Sequence, residues 1–203
     1  MNGVLINVDN ISFAYPEGHE VISDFSYSFY EKQSYIICGE NGCGKTTITR
    51  LLLGLLTPDK GKIERKSNIV VSYVPDDNGV YENLSVRDNV LFRLGIYNKK
   101  FKDVEEKYNN WVKKFKLSLY AGSLVGDLSL GTKKKVALLC AMLVMPDVIV
   151  LDEPTGGLDI SAQKELIKML EMIKNDTVII TVTHDDFYIK NFKSEMIYLE
   201  NNL

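Results

Sequence analysis

The sequence predicts an α/β fold built on a mostly parallel sheet, and three observations carry that prediction. A short apolar segment, Ser34 to Cys38, runs into a glycine-rich loop and then into the helix-forming stretch Thr47 to Leu53. A wholly apolar run, Val148 to Leu151, ends in Asp152 and Glu153. A third apolar run, Thr177 to Val182, follows a stretch with apolar residues at helical spacing. Strands that alternate with helices form parallel sheets, and strands buried on both faces read as unbroken apolar runs.

The elements follow in order. Leu5 to Phe13 alternates apolar and polar residues, as a half-buried strand does. Tyr15-Pro16-Glu17-Gly18 is turn chemistry. Val21 to Phe29 reads as a second strand, with Val21, Phe25, Tyr27 and Phe29 on one face. These two strands are expected to form an N-terminal antiparallel portion. The helix after the glycine loop is expected to stop at Thr57-Pro58-Asp59-Lys60-Gly61. Ile63 opens a short strand, and Ile69 to Val74 is another. A helical middle runs from about Val86 to Met145, inserted between the two halves of the sheet. Ala162 to Ile173 carries Leu166, Ile167, Leu170 and Ile173 at helical spacing, and Met196 to Leu199 is the last strand.

The chain has 203 residues, enough for one sizeable core. A net charge of −3 argues against bulk electrostatic binding of nucleic acid. No apolar run reaches the about 18 residues that a membrane span needs. Met1-Asn2-Gly3-Val4-Leu5 has neither a charged start nor a long apolar stretch, so no signal peptide is expected. Cys38, Cys43 and Cys140 fit neither a disulfide framework nor a zinc site, and a reducing cytosol is the expected compartment.

Gly39-Glu40-Asn41-Gly42-Cys43-Gly44-Lys45-Thr46-Thr47 fits G-x-x-x-x-G-K-[ST], the phosphate-binding P-loop. Phosphates need convergent donors and close backbone approach, and glycine permits both. The loop amides and the helix N-terminus face the β- and γ-phosphates, Lys45 adds a mobile positive charge, and the Thr46 hydroxyl is placed to ligate Mg²⁺. Strand, glycine loop and helix in that order supply the context the motif requires.

The paired acids narrow the chemistry. Burial of Val148 to Leu151 puts Asp152 at the carboxyl edge of the sheet, beside the phosphate loop, where open α/β sheets bind ligands. Asp152 can hold Mg²⁺ through water, and Glu153 can polarise the attacking water. Thr181-Val182-Thr183-His184-Asp185 ends the next strand, where His184 can contact the γ-phosphate and sense hydrolysis.

Taken together the motifs resemble the ATPase subunit of ATP-binding cassette (ABC) transporters over nearly the full chain and in the family's order. The resemblance implies a P-loop NTPase fold in a single ABC ATPase domain, with a core of 1–84 and 146–203 and a helical subdomain of about 85–145. Leu128-Ser129-Leu130-Gly131-Thr132 stands where the family carries L-S-G-G-Q. Ser129 and Gly131 at that helix start make an anion site, which in the family meets the γ-phosphate bound to the opposite subunit. Tyr15 occupies the family's adenine-stacking position, and Asp159 belongs to the loop that crosses the dimer interface. Lys133-Lys134-Lys135, in the first turns of the signature helix, are read either as near the phosphate or as simply exposed.

This chain departs from the family at four positions. Asp76 replaces the glutamine that ligates Mg²⁺ and faces the membrane partner; either it ligates the metal or it is a solvated turn acid. Gly157 replaces the usual serine, Leu130 a glycine, and Thr132 the glutamine. The implied cofactors are ATP and Mg²⁺. The implied partners are an integral-membrane transporter subunit and a second ATPase subunit, as a homodimer or a heterodimer, with no nucleic acid. The chain is expected to be cytoplasmic, peripheral on the inner face of the cell membrane. It ends soon after the last strand, without the C-terminal regulatory domain of many importers, and on that ground export is expected. Rival readings are a soluble ABC-type ATPase acting on ribosome or DNA, and a non-hydrolysing nucleotide sensor. The single cassette, with no long heptad array, disfavours the first, and intact Glu153 and His184 disfavour the second.

Overall fold

The computed structural model describes residues 3–16, 18–40 and 42–199. Met1, Asn2, Glu17 and Asn41, on which the sequence reading drew, lie outside them. The elements run β1 (Val4–Ala14), β2 (Glu20–Tyr30), β3 (Ser34–Cys38), α1 (Lys45–Leu53), β4 (Lys60–Arg65) and β5 (Val71–Val74). Then come α2 (Val86–Ile96), α3 (Glu105–Lys114) and α4 (Leu130–Leu143), joined by short 3₁₀ turns. β6 (Val148–Asp152), α5 (Ile160–Ile173), β7 (Val178–Val182), α6 (Asp186–Asn191) and β8 (Glu195–Tyr198) close the chain.

Two sheets form. β2, β1 and β4 make an antiparallel sheet in that order, and the other sheet has the order β5-β6-β7-β3-β8 with every pairing parallel. Alternation sends successive side chains of each central strand to opposite faces. Ile36, Ile149, Leu151 and Ile179 pack with α4, α5 and the helical middle, while Tyr35, Ile37, Val148, Val150 and Ile180 pack with α1, β1 and β2. Both faces are therefore covered, which is why these strands read as unbroken apolar runs.

β6 does not neighbour β3, because β7 lies between them. Asp152 is therefore one strand further from the phosphate loop than expected, and the residues just after β7 stand between the two. In β2, Asp24 takes φ 48° and the register with β1 slips nearby. The slip turns Ile22 into the core (3% exposed) and leaves Val21 half-buried, so Val21 does not share the face of Phe25, Tyr27 and Phe29 as expected.

Helix ends follow local chemistry. α1 stops at Leu53 rather than at Thr57, because left-handed Gly54 closes it and donates its N–H to Arg50 O and Leu51 O. The helical middle is not continuous. Ser85 caps α2 through Asp88 N at 3.0 Å, and Ser129 caps α4 through Thr132 N at 3.3 Å. α6 was not foreseen, being too short to show a period. Asp185 starts it by accepting from the amides of Phe187 (2.8 Å) and Tyr188 (3.1 Å).

Candidate nucleotide site

A cavity of about 480 Å³ opens at the carboxyl edge of the parallel sheet. It is lined by the glycine loop and the start of α1 on one side, Asp76, Asp152, Glu153 and His184 on another, and Tyr15 with Val21 at its mouth. Residues far apart in sequence thus meet in one volume: most follow the ends of parallel strands or begin the helix after β3, while Tyr15 and Val21 come from the end of β1 and from β2 in the antiparallel sheet.

The phosphate loop is shaped by close packing. Gly44 has φ 96°, and a Cβ there would lie 2.8 Å from Ile22 Cδ1, so only glycine fits this approach of the loop to β2. Lys45 Nζ donates to Gly39 O (2.9 Å) and Glu40 O (2.8 Å), folded back on its own loop. Gly42, Gly44, Lys45, Thr46 and Thr47 line the cavity. The Cys43 side chain does not. It is buried, 3% exposed, and lines a separate pocket between β2 and β8, while its N–H donates to Glu40 O at 3.3 Å. Gly39 lies beneath the loop, against Leu199 O and Cys43 Sγ.

Glu153 is the most constrained residue of the site. It is a non-glycine residue at φ 42°, a sparsely populated region that needs surrounding contacts to hold it. Its N–H donates to Val182 O at 2.9 Å. Thr183 Oγ1 donates to its Oε2 at 2.7 Å, and His184 Nδ1 hydrogen-bonds its Oε1 at 2.7 Å. The end of β7 therefore fixes the carboxylate at both oxygens. Asp152 beside it is 8% exposed and accepts from Tyr73 Oη at 3.3 Å. Burial pushes its carboxyl above the usual range, with Glu153 and Asp76 adding to the rise.

Among the described residues no group of three or more His, Cys, Asp or Glu is arranged to hold a metal. Mg²⁺ does not need one, because it takes one or two carboxylates and completes its shell with waters and phosphate oxygens. Thr46, Asp76 and Asp152 lining the phosphate cavity fit that requirement.

Residues 22–156 match the model of the family described as ABC transporter. The chain belongs to that ABC transporter family. An uncharacterised ABC transporter ATP-binding protein of Alkalihalophilus pseudofirmus is 32% identical over 72% of this chain and 58% of its own length. The zinc import ATP-binding protein ZnuC of Buchnera aphidicola is 29% identical over 98% of this chain and 82% of its own. The sulfate/thiosulfate import ATP-binding protein CysA of Mannheimia succiniciproducens is 31% identical over 89% of this chain and 54% of its own. The chain thus spans little more than half the length of two of these relatives. CbiO1 of Clostridium perfringens, part of the ABC transporter complex CbiONQ, shares the fold at a TM-score of 0.84 and 23% identity, covering 99% of this chain and 86% of its own.

Other residues expected of an ABC transporter ATPase lie outside the cavity. Ser129 caps α4, and Asp159 caps α5 by accepting from Ala162 N at 2.8 Å. Gly131 packs towards the start of α5, where a Cβ would meet Ala162 Cβ at 3.5 Å. Asn41 lies outside the described residues. The three lysines of α4 are not simply exposed. Lys133 pairs with Glu82, Lys135 pairs with Glu165, and Lys134 is buried, donating to Glu153 O at 3.3 Å.

Sequence reasoning missed several residues that build the site. Arg50 donates to Tyr15 Oη, which also shares a hydrogen bond with Thr47 Oγ1, both at 3.3 Å. Arg50 lies one helical turn beyond Thr47, a spacing that could have flagged it. Thr183 and Tyr73 had no such signal. Asp185 accepts from Thr155 Oγ1 (2.8 Å) and Gln163 Nε2 (2.9 Å), tying the loop after β6 to the residue that follows His184.

Proposed function

We propose that this chain binds ATP with Mg²⁺ and hydrolyses it, as the ATPase subunit that powers a membrane transporter whose pore belongs to separate chains. The observation that carries the reading is the single cavity shared by the glycine loop, Asp76, Asp152, Glu153, His184 and Tyr15. In it Tyr15 stacks on the adenine, its hydroxyl already anchored by Thr47 and Arg50. The α1 N-terminus receives the phosphates, and Lys45 swings from Gly39 O and Glu40 O to the β- and γ-oxygens. Thr46, Asp152 and Asp76 would hold Mg²⁺, which neutralises phosphate charge when bound. Glu153 orients the attacking water and draws its proton, with Thr183 and His184 keeping the carboxylate aimed.

The chain acts as one ABC ATPase domain, with residues 1–84 and 146–203 as core and about 85–145 as helical subdomain. Its second ATPase subunit brings Ser129 and Gly131 to the opposite γ-phosphate. The membrane chain docks on the helical subdomain, where Leu91, Phe92 and Ile96 of α2 are exposed beside Tyr81 of the core. Among the described residues no helix is long and apolar enough to cross a membrane. The place proposed for the chain is peripheral, on the cytoplasmic face of the membrane. Export, expected from the sequence, has no support among the named relatives, two of which are import proteins.

The test is Glu153→Gln. It should keep ATP affinity within a few-fold and lose at least ~10²-fold in hydrolysis, the scale of a positioned base. Turnover close to that of the unaltered protein would remove Glu153 from this role.

A further inference from the structure

Lys134 stands apart from its two lysine neighbours in α4. Lys133 and Lys135 each reach a carboxylate at the surface, whereas Lys134 is 5% exposed and has no carboxylate within salt-bridge distance among the described residues. It lines a small, mostly apolar pocket together with Val74, Leu138, Leu151 and Leu170. Its ammonium reaches the backbone oxygen of Glu153 at 3.3 Å. The buried Asn78 Oδ1, which has no partner, lines the same small pocket.

A buried ammonium is costly unless nearby groups compensate it. Burial lowers its pKa, and Asp76, Glu153 and Asp152 offset that shift only in part. The converse holds for the acids. Asp76, Asp152 and Glu153 line one cavity and repel one another and a phosphate ligand; Arg50 acts on Asp152 from α1, and Lys134 adds a second cation from the α4 side. Lys45 is folded on its own loop, its ammonium hydrogen-bonded to Gly39 O and Glu40 O.

We propose that Lys134 is a positioning residue of the nucleotide site: its ammonium is a fixed counter-charge of Asp76, Asp152 and Glu153, holds the Glu153 backbone, and so sets how strongly nucleotide binding depends on Mg²⁺. This rests on the nucleotide reading above. Lys134 offsets part of the acidic field at the phosphates. Without it, metal-free nucleotide meets the three acids less screened, and Mg²⁺ restores more. Because the cation arrives on α4, the strength of the metal effect is tied to the seating of the helical segment against the core.

The experiment titrates a fluorescent, non-hydrolysable ATP analogue with and without Mg²⁺. The readout is the ratio of metal-free to metal-bound Kd. Lys134→Met keeps the apolar stem and removes the charge, and should raise that ratio about fivefold or more. Asp76→Asn removes one acid and should lower it by a similar factor. The double variant, which loses one charge of each sign, should return to within about twofold of the unaltered protein. Lys134→Gln stands in if the methionine variant does not fold. If Lys134 only fills space, the ratio stays unchanged in Lys134→Met and the double variant behaves like Asp76→Asn. That result overturns this inference and leaves the nucleotide reading intact. An unaltered protein that binds no analogue overturns the nucleotide reading, and this inference with it.

Discussion

Leu130 and Gly157 read separately in the sequence as two departures from an expected pattern. In space they are one feature. A Cβ at Gly157 would lie 2.8 Å from Leu130 Cδ2, and Gly157 itself has φ 71°. The left-handed backbone penalises any side chain at 157, whereas the exposed tip of Leu130 can turn aside at little cost. Gly157→Ser should therefore lower the free energy of unfolding by ~1–2 kcal/mol, nearly all of it backbone strain. Leu130→Ala in that background should recover little of the loss. Urea unfolding of the two single variants and the double checks this. A large recovery would mean that Leu130 is held against residue 157.

Helices α4 and α5 and the turn after α3 are joined at one carboxylate. Glu165 of α5 pairs with Lys135 of α4 and with Lys116 just past α3, and these two hold its carboxyl down to about 2. A depressed folded pKa means the stabilisation is present above the unfolded carboxylate value of ~4.3 and is lost as pH falls towards about 2. Glu165 is 39% exposed and Lys116 75%, so solvent screening keeps the contribution below ~1 kcal/mol. Glu165→Gln should lower the unfolding midpoint modestly at pH 7, and the gap to the unaltered protein should close as pH approaches about 2. Chemical denaturation across that range is the check. A gap that persists undiminished to the acid end would mean the glutamine acts through packing. The same scale explains how the site is aimed: Asp185 caps α6 and also accepts from Thr155 and Gln163, so the loops after β6 and β7 cannot shift independently.

At the scale of the molecule, one chain holds only part of the expected site. Ser129 and Gly131 open α4, outside the cavity of their own chain. A twofold pairing that sets each signature loop against the partner's phosphate loop is the closed, symmetric solution. The chain carrying Glu153→Gln should therefore be mostly monomeric without nucleotide and double its mass with ATP. Light scattering over a range of protein concentrations measures this. No change of mass at any concentration tested would count against this pairing of two identical chains.

The sequence by itself determined the fold class and the order of the strands, and it singled out Lys45, Thr46, Asp152, Glu153 and His184, which the fold brings to one cavity. These are local signals: a motif fixed by spacing, or a polar residue that ends an apolar strand, keeps its meaning wherever the strand is placed. It could not determine that β7 separates β6 from β3, that a slip in β2 buries Ile22 in place of Val21, or that Cys43 turns away from the cavity. Nor could it separate Lys134 from the lysines on either side. Adjacent positions on a helix point about 100° apart, so three identical residues in a row face three different surroundings. Only the packing of α4 against the core decided which of them lost its water and faced the acids.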